Sequence, residues 1–123
     1  YFSNILEKYP DTAMHSFHAH DIRGMGLAAC YAAMEAGVTV FDCSLGGIGG
    51  QVANIVDSTP VKGTGEYYFE SGRTGLVETC DLVSMITRMG VGAGIDEKKC
   101  RKIERMVERI LGRKLDSFTG SIK

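Results

Sequence analysis

Residues 13–42 read AMHSFHAHDIRGMGLAACYAAMEAGVTVFD, and this stretch decides the fold. Ala13 to His20 reads as a short strand, and Val38-Thr39-Val40-Phe41-Asp42, β-branched and apolar, as a second. Asp21 to Gly26 is a turn between them. It opens an alanine-rich helix from about Met25 to Ala36, which Gly37 closes. A strand, a crossover helix and a second strand argue for an α/β class with a parallel sheet and helices packed outside it.

Working outward, Phe2, Ile5 and Leu6 have helical spacing, and Pro10-Asp11 ends that segment. Gly46-Gly47-Ile48-Gly49-Gly50 follows the second strand. From Gln51 to about Gly75 the chain is long and polar, and is expected to be a structureless run, either functional or disordered. Leu82, Met85, Ile86 and Met89 form one helical face, capped by Gly90; Ile103, Met106, Val107, Ile110 and Leu111 form another, ended by Gly112. Two strands are too few for a parallel sheet, which is buried on both faces and needs neighbours at each edge. Partner strands must come from another chain, or this is a piece of something larger. The chain begins at Tyr1 inside a helix, which favours the piece.

Composition narrows the function classes. A chain of 123 residues allows one modest domain. A formal net charge of −1 gives no electrostatic reason to bind nucleic acid or an anionic membrane. The basic run from Glu97 to Arg105 reads as the wet face of an amphipathic helix. No apolar run approaches the roughly 20 residues needed to span a bilayer. Cys30, Cys43, Cys80 and Cys100 lie far apart, without zinc spacing or a disulfide framework. A reducing compartment fits, cytoplasmic or the mitochondrial matrix, with Cys30 and Cys80 as small core residues.

The chemistry gathers at the strand ends. On a strand, residues two apart share a face, so His18 and His20 project side by side with Ser16. Neutral imidazole suits divalent metals, and catalytic groups of β/α barrels sit at the C-terminal ends of strands. Asp21 follows directly and is placed to orient an imidazole, whereas His15 faces the helices. Asp42 and Ser44 share one face of the second strand and Cys43 takes the other. Gly49 and Gly50 let backbone amides approach a ligand, or let the loop move. Gly72-Arg73-Thr74-Gly75 leads into a helix whose N-terminus suits an anion, with Arg73 as its cation. The bland readings are two structural histidines and a tight turn, though a turn explains four glycines in five poorly.

Several ordered motifs carry a resemblance. These are His18-Ala19-His20-Asp21, Gly24-Met25-Gly26-Leu27-Ala28, Glu35-Ala36-Gly37-Val38-Thr39, and Phe41-Asp42-Cys43-Ser44-Leu45-Gly46-Gly47-Ile48-Gly49-Gly50. Asp81-Leu82-Val83-Ser84-Met85, Met89-Gly90-Val91, Gly94-Ile95-Asp96 and Leu111-Gly112-Arg113-Lys114-Leu115 continue the series. Together they resemble HMG-CoA lyase and its relatives, TIM-barrel metallolyases that include isopropylmalate synthases and hydroxy-oxovalerate aldolases. The resemblance implies that residues 1–123 are the C-terminal part of a (β/α)8 barrel: its last two β/α units plus a terminal helix. Residues 13–20 would be the seventh strand, 38–43 the eighth, and 51–75 a long loop on the active-site side. It implies Mg²⁺ or Mn²⁺ held by His18 and His20, with His18 also placed for proton transfer. Asp21, Asp42, Ser44, Gly49, Gly50 and Arg73 would contact substrate or orient the ligands.

The implied reaction is carbon–carbon cleavage of a 3-hydroxy acyl-CoA or a 4-hydroxy-2-oxoacid through a metal-stabilised enolate. The chain alone is expected to be inactive. Its partners would be that substrate, the missing barrel strands and a second copy in a homodimer. The alternatives are a Claisen-condensing synthase, which the short stretch after Gly112 disfavours, and a non-catalytic truncated remnant. Two positions depart from the family. Gln51 stands where HMG-CoA lyases carry a cysteine, and Leu76 where the family often carries a ligating asparagine.

Overall fold

The computed structural model describes residues 1–21, 23–50, 55, 56, 59, 60 and 75–121. The stretch quoted above forms the expected unit. Strand β1 (Ser16–His18) lies parallel to β2 (Val40–Asp42), pairing Ser16 with Val40, Phe17 with Phe41 and His18 with Asp42. Helix α2 (Gly26–Glu35) makes the crossover. It ends on Gly37, with φ of 102°. The Gly37 amide donates to the Met34 carbonyl and the Val38 amide to that of Ala33, so the carbonyls left open at the helix end are satisfied as the chain turns into β2.

Both strands are shorter than expected. Thr12–Met14 winds into a 3-10 turn because the Asp11 carboxylate takes the Ala13 amide at 3.1 Å, which draws Ala13 and Met14 out of the strand. Ala19 and His20 lie past the β2 pairing, and there a different segment takes over. Gly75 to Glu78 returns between the two strand ends. The Val77 amide donates to the Ala19 carbonyl, the Ser44 amide to the Val77 carbonyl and the Thr79 amide to the Ser44 carbonyl, each at 3.0 Å. His20 bridges Leu76 and Ser44 bridges Glu78. Glycine is required for this passage: a Cβ on Gly75 would stand 2.0 Å from the Gly47 carbonyl oxygen.

The central stretch departs from the expected structureless loop. Strands β3 (Ile55–Val56) and β4 (Thr59–Pro60) form a short antiparallel ladder. The rest of 51–74, including Gln51 and Arg73, lies outside the described residues.

Side chains alternate across the β1–β2 pair. Phe17 and Phe41 turn to one face, where helix α1 (Phe2–Lys8) adds Phe2. Edge-on ring contacts run from Phe2 to Phe17 (4.9 Å between centroids) and on to Phe41 (6.2 Å). Such contacts add about 0.5–1.5 kcal/mol each beyond burial. Beside them Ala19, Cys30, Val77 and Leu82 form the buried core, bordered by Leu27, Cys43, Met85 and Ile86. Burial pushes the Cys30 thiol up to about 11, with smaller contributions from Cys43 and Asp21, as fits an inert core residue.

Helix α3 (Thr79–Arg88) buries Cys80, Leu82 and Val83, and Gly90 closes it as expected. Helix α4 (Glu97–Leu111) begins on Asp96, whose carboxylate takes the Lys98 and Lys99 amides, and ends on Gly112 in the left-handed conformation. Its packing is not what its apolar stripe suggests. Cys100 and Glu104 are the residues it buries, with Cys100 Sγ 2.9 Å from Cys80 Sγ of α3. Ile103, Met106, Ile110 and Leu111 are exposed, Ile110 at 79%. No helix among the described residues is long and apolar enough to cross a membrane.

Candidate metal-ligand face

The other face of the β1–β2 pair carries the polar groups. Ser16, His18 and Asp42 all lie there because β1 and β2 are in register, with His18 directly opposite Asp42. His18 Nδ1 stands 2.9 Å from Asp42 Oδ2, and the Ser16 hydroxyl donates to Asp42 Oδ1 at 2.9 Å. These two bonds hold the Asp42 carboxyl below the usual carboxylate range, the His18 contact being the larger cause. The side chains of His18 and Asp42 remain 57% and 47% exposed. The face is therefore open. The His20 ring lies beside that of His18, 5.3 Å between centroids and tilted by 59°.

The other residues singled out by sequence stand apart from this histidine pair. Asp21 is buried, and its Oδ1 accepts the Gly26 amide at 2.7 Å, opening α2. The carboxylate set against His18 is Asp42, contributed by the neighbouring strand. Ser44 Oγ donates to the Ile48 carbonyl at 3.0 Å, pinning the glycine turn. Gly49 sits at the exposed tip of that turn with φ of 102°, and Gly50 follows half-buried. His15 turns away, its Nε2 2.8 Å from the Tyr9 carbonyl oxygen. Cys43 borders the core on the face opposite Asp42.

Two acidic residues to which the sequence reading gave no role organise the surroundings. Glu78 is fully buried; its Oε1 takes the Gly46 amide (2.9 Å) and its Oε2 the Asp81 amide (2.6 Å). It thereby fastens the glycine loop to the start of α3. Asp81 in turn accepts the Phe118 and Thr119 amides and the Ser117 hydroxyl, fixing the C-terminal turn. An acidic residue just before an apolar helical run was the available signal for Glu78.

The donor chemistry fits part of a metal site. Two imidazoles on one open face, one of them braced by a carboxylate, are a recurrent arrangement around divalent ions. Among the described residues no group of three or more His, Cys, Asp or Glu could hold a metal ion, so further ligands would have to come from elsewhere. Mg²⁺ in particular demands more oxygen donors than this face presents.

Residues 1–107 match the HMGL-like family. The chain is 31% identical over 116 residues to (R)-citramalyl-CoA lyase of Chloroflexus aurantiacus, covering 94% of this chain and 31% of that protein. It is 30% identical over 115 residues to the mitochondrial hydroxymethylglutaryl-CoA lyase of Bos taurus, covering 94% and 30%. Among solved structures, an HMG-CoA lyase from Acinetobacter baumannii in complex with coenzyme A and 3-methylmalate superposes with a TM-score of 0.73 at 27% identity, over 95% of this chain and 33% of that one. The HMG-CoA lyase of Bacillus subtilis gives 0.71 at 27%, over 97% and 36%. The chain thus spans about a third of the length of the relatives it matches.

Proposed function

This chain belongs to the HMGL-like family, and on that premise we propose that it carries the two-histidine strand of a divalent-metal-dependent carbon–carbon lyase. The observation that carries the reading is the open polar face on which His18 and His20 stand side by side with Asp42 bonded to His18. A parallel strand pair with helices on its apolar face supports placing residues 1–123 as the last third of a β/α barrel, with that polar face toward the barrel interior.

In this reading His18 and His20 are two ligands of Mg²⁺ or Mn²⁺, and strands outside the chain supply the oxygen donors. When bound, the ion supplies Lewis-acid stabilisation of a developing enolate. His18 serves as a ligand rather than a proton carrier. Its Nδ1 is engaged with Asp42 and its Nε2 would be engaged with the metal, so no ring nitrogen is left to shuttle a proton. The 75–78 segment and Glu78 hold the glycine loop against the strand ends, where a substrate would enter. A 3-hydroxy acyl-CoA is the favoured substrate class, since the relatives named above act on acyl-CoA thioesters by their names.

The test is a chimera in which this chain replaces the corresponding third of the Bacillus subtilis lyase, assayed with Mn²⁺ and 3-hydroxy-3-methylglutaryl-CoA. Metal-dependent cleavage, lost in His18→Ala and His20→Ala, is expected. Gln51→Cys, which restores the family's cysteine, should raise the rate. A folded chimera inactive with either residue at position 51 would overturn the lyase reading.

A further inference from the structure

We infer that Ser16 and Asp42 are a positioning pair for His18, fixing the ring in the tautomer that carries its proton on Nδ1. An ionised carboxylate has no proton to give, so the ring nitrogen 2.9 Å from Asp42 Oδ2 must be the donor. In the neutral ring the lone pair then resides on Nε2, the atom farther from the backbone. Free imidazole side chains in water favour the opposite tautomer, with the proton on Nε2. The site therefore has to impose the form inferred from this contact.

Ser16 makes that imposition firm. A carboxylate held through one oxygen can swing about its terminal torsion, which is broad and soft. Here Oδ1 is tied by the Ser16 hydroxyl while Oδ2 takes the His18 proton, so the carboxylate plane is held at both oxygens. The arrangement follows from the parallel register. Ser16 and His18 lie two apart on one face of β1, and Asp42 on β2 is placed opposite His18 with Ser16 diagonal to it. An ion pair this exposed contributes little to stability, so its effect falls on ring orientation rather than on folding. The value of that orientation for a metal ion rests on the lyase reading above; the tautomer itself does not.

The experiment is long-range ¹H–¹⁵N spectroscopy of the metal-free full chain at a pH where histidine is neutral. His18 is expected with its proton on Nδ1. Asp42→Ala should move the proton to Nε2, Ser16→Ala should give a mixture, and Asp42→Asn provides a conservative variant should the alanine perturb the fold. The melting temperature should be unchanged in all three. Mn²⁺ affinity should fall by about 10- to 100-fold in Asp42→Ala, with no further loss when that change is added to His18→Ala. A wild-type His18 protonated on Nε2, or a tautomer indifferent to Asp42→Ala, would overturn the inference. So would loss of Mn²⁺ affinity in Asp42→Ala without a tautomer change, since Asp42 would then be a ligand itself. A tautomer shift with no Mn²⁺ binding in any variant supports the positioning pair and overturns the metal reading instead.

Discussion

Glu78 shows how much of this site depends on one buried side chain. It is wholly inside, and each carboxylate oxygen is spent on a backbone amide: Gly46 on the loop and Asp81 on α3. Glu78→Ala would orphan both amides in a buried setting, at roughly 1–3 kcal/mol each. Thermal unfolding should show a clear destabilisation, larger than that of Glu78→Gln, which keeps one acceptor oxygen. Equal losses in the two variants would mean that the carboxylate's bonds to those amides are not what holds the loop. Residue-scale reading from sequence reached His18, His20 and Asp42, because alternation along a strand is a strict rule. It missed that Asp42 would brace His18, since cross-strand register is a property of two segments together. Gly75 was legible only as a loop glycine; its necessity arises from the Gly47 carbonyl, which approaches from elsewhere in the chain.

At the scale of elements, the helices were read well where their ends carry chemistry. Gly37, Gly90 and Gly112 all adopt positive φ just past the helices they close. Asp96 caps α4, and the Lys99 and Lys98 amides hold its carboxyl below the ordinary range. A carboxyl depressed in the folded state contributes stability above its unfolded pKa of about 3.9 and loses it as pH falls through the folded value. Asp96→Asn keeps an acceptor at the cap but removes the charge that favours a helix N-terminus. The wild-type chain should therefore melt higher than Asp96→Asn at pH 7, with the difference closing below about pH 4. A difference independent of pH would contradict this assignment of the cap. The strands were read too long. Asp11 captures Ala13 into a turn, and the 75–78 segment claims Ala19, both being competitions that local propensity does not register.

At the scale of the whole molecule, the α/β class and the strand–helix–strand order were legible, whereas the packing of α4 was not. Its apolar stripe of Ile103, Met106, Ile110 and Leu111 faces outward, while Cys100 and Glu104 face α3. Burial pushes the Glu104 carboxyl up. An apolar stripe tells which face of a helix wants covering, but not which neighbour covers it. The β1–β2 polar face has the same character: His18 and Asp42 stand about half exposed, and strand register says which groups share a face but not what covers them. Everything functional here turns on whether His18 and His20 act together on a divalent ion. Paramagnetic broadening in the full chain reads this even when binding is weak. On titration with Mn²⁺, the ring signals of His18 and His20 should broaden together and first, while His15, turned toward Tyr9, broadens only at higher Mn²⁺. Broadening of all three histidines alike, or of none, would contradict the account.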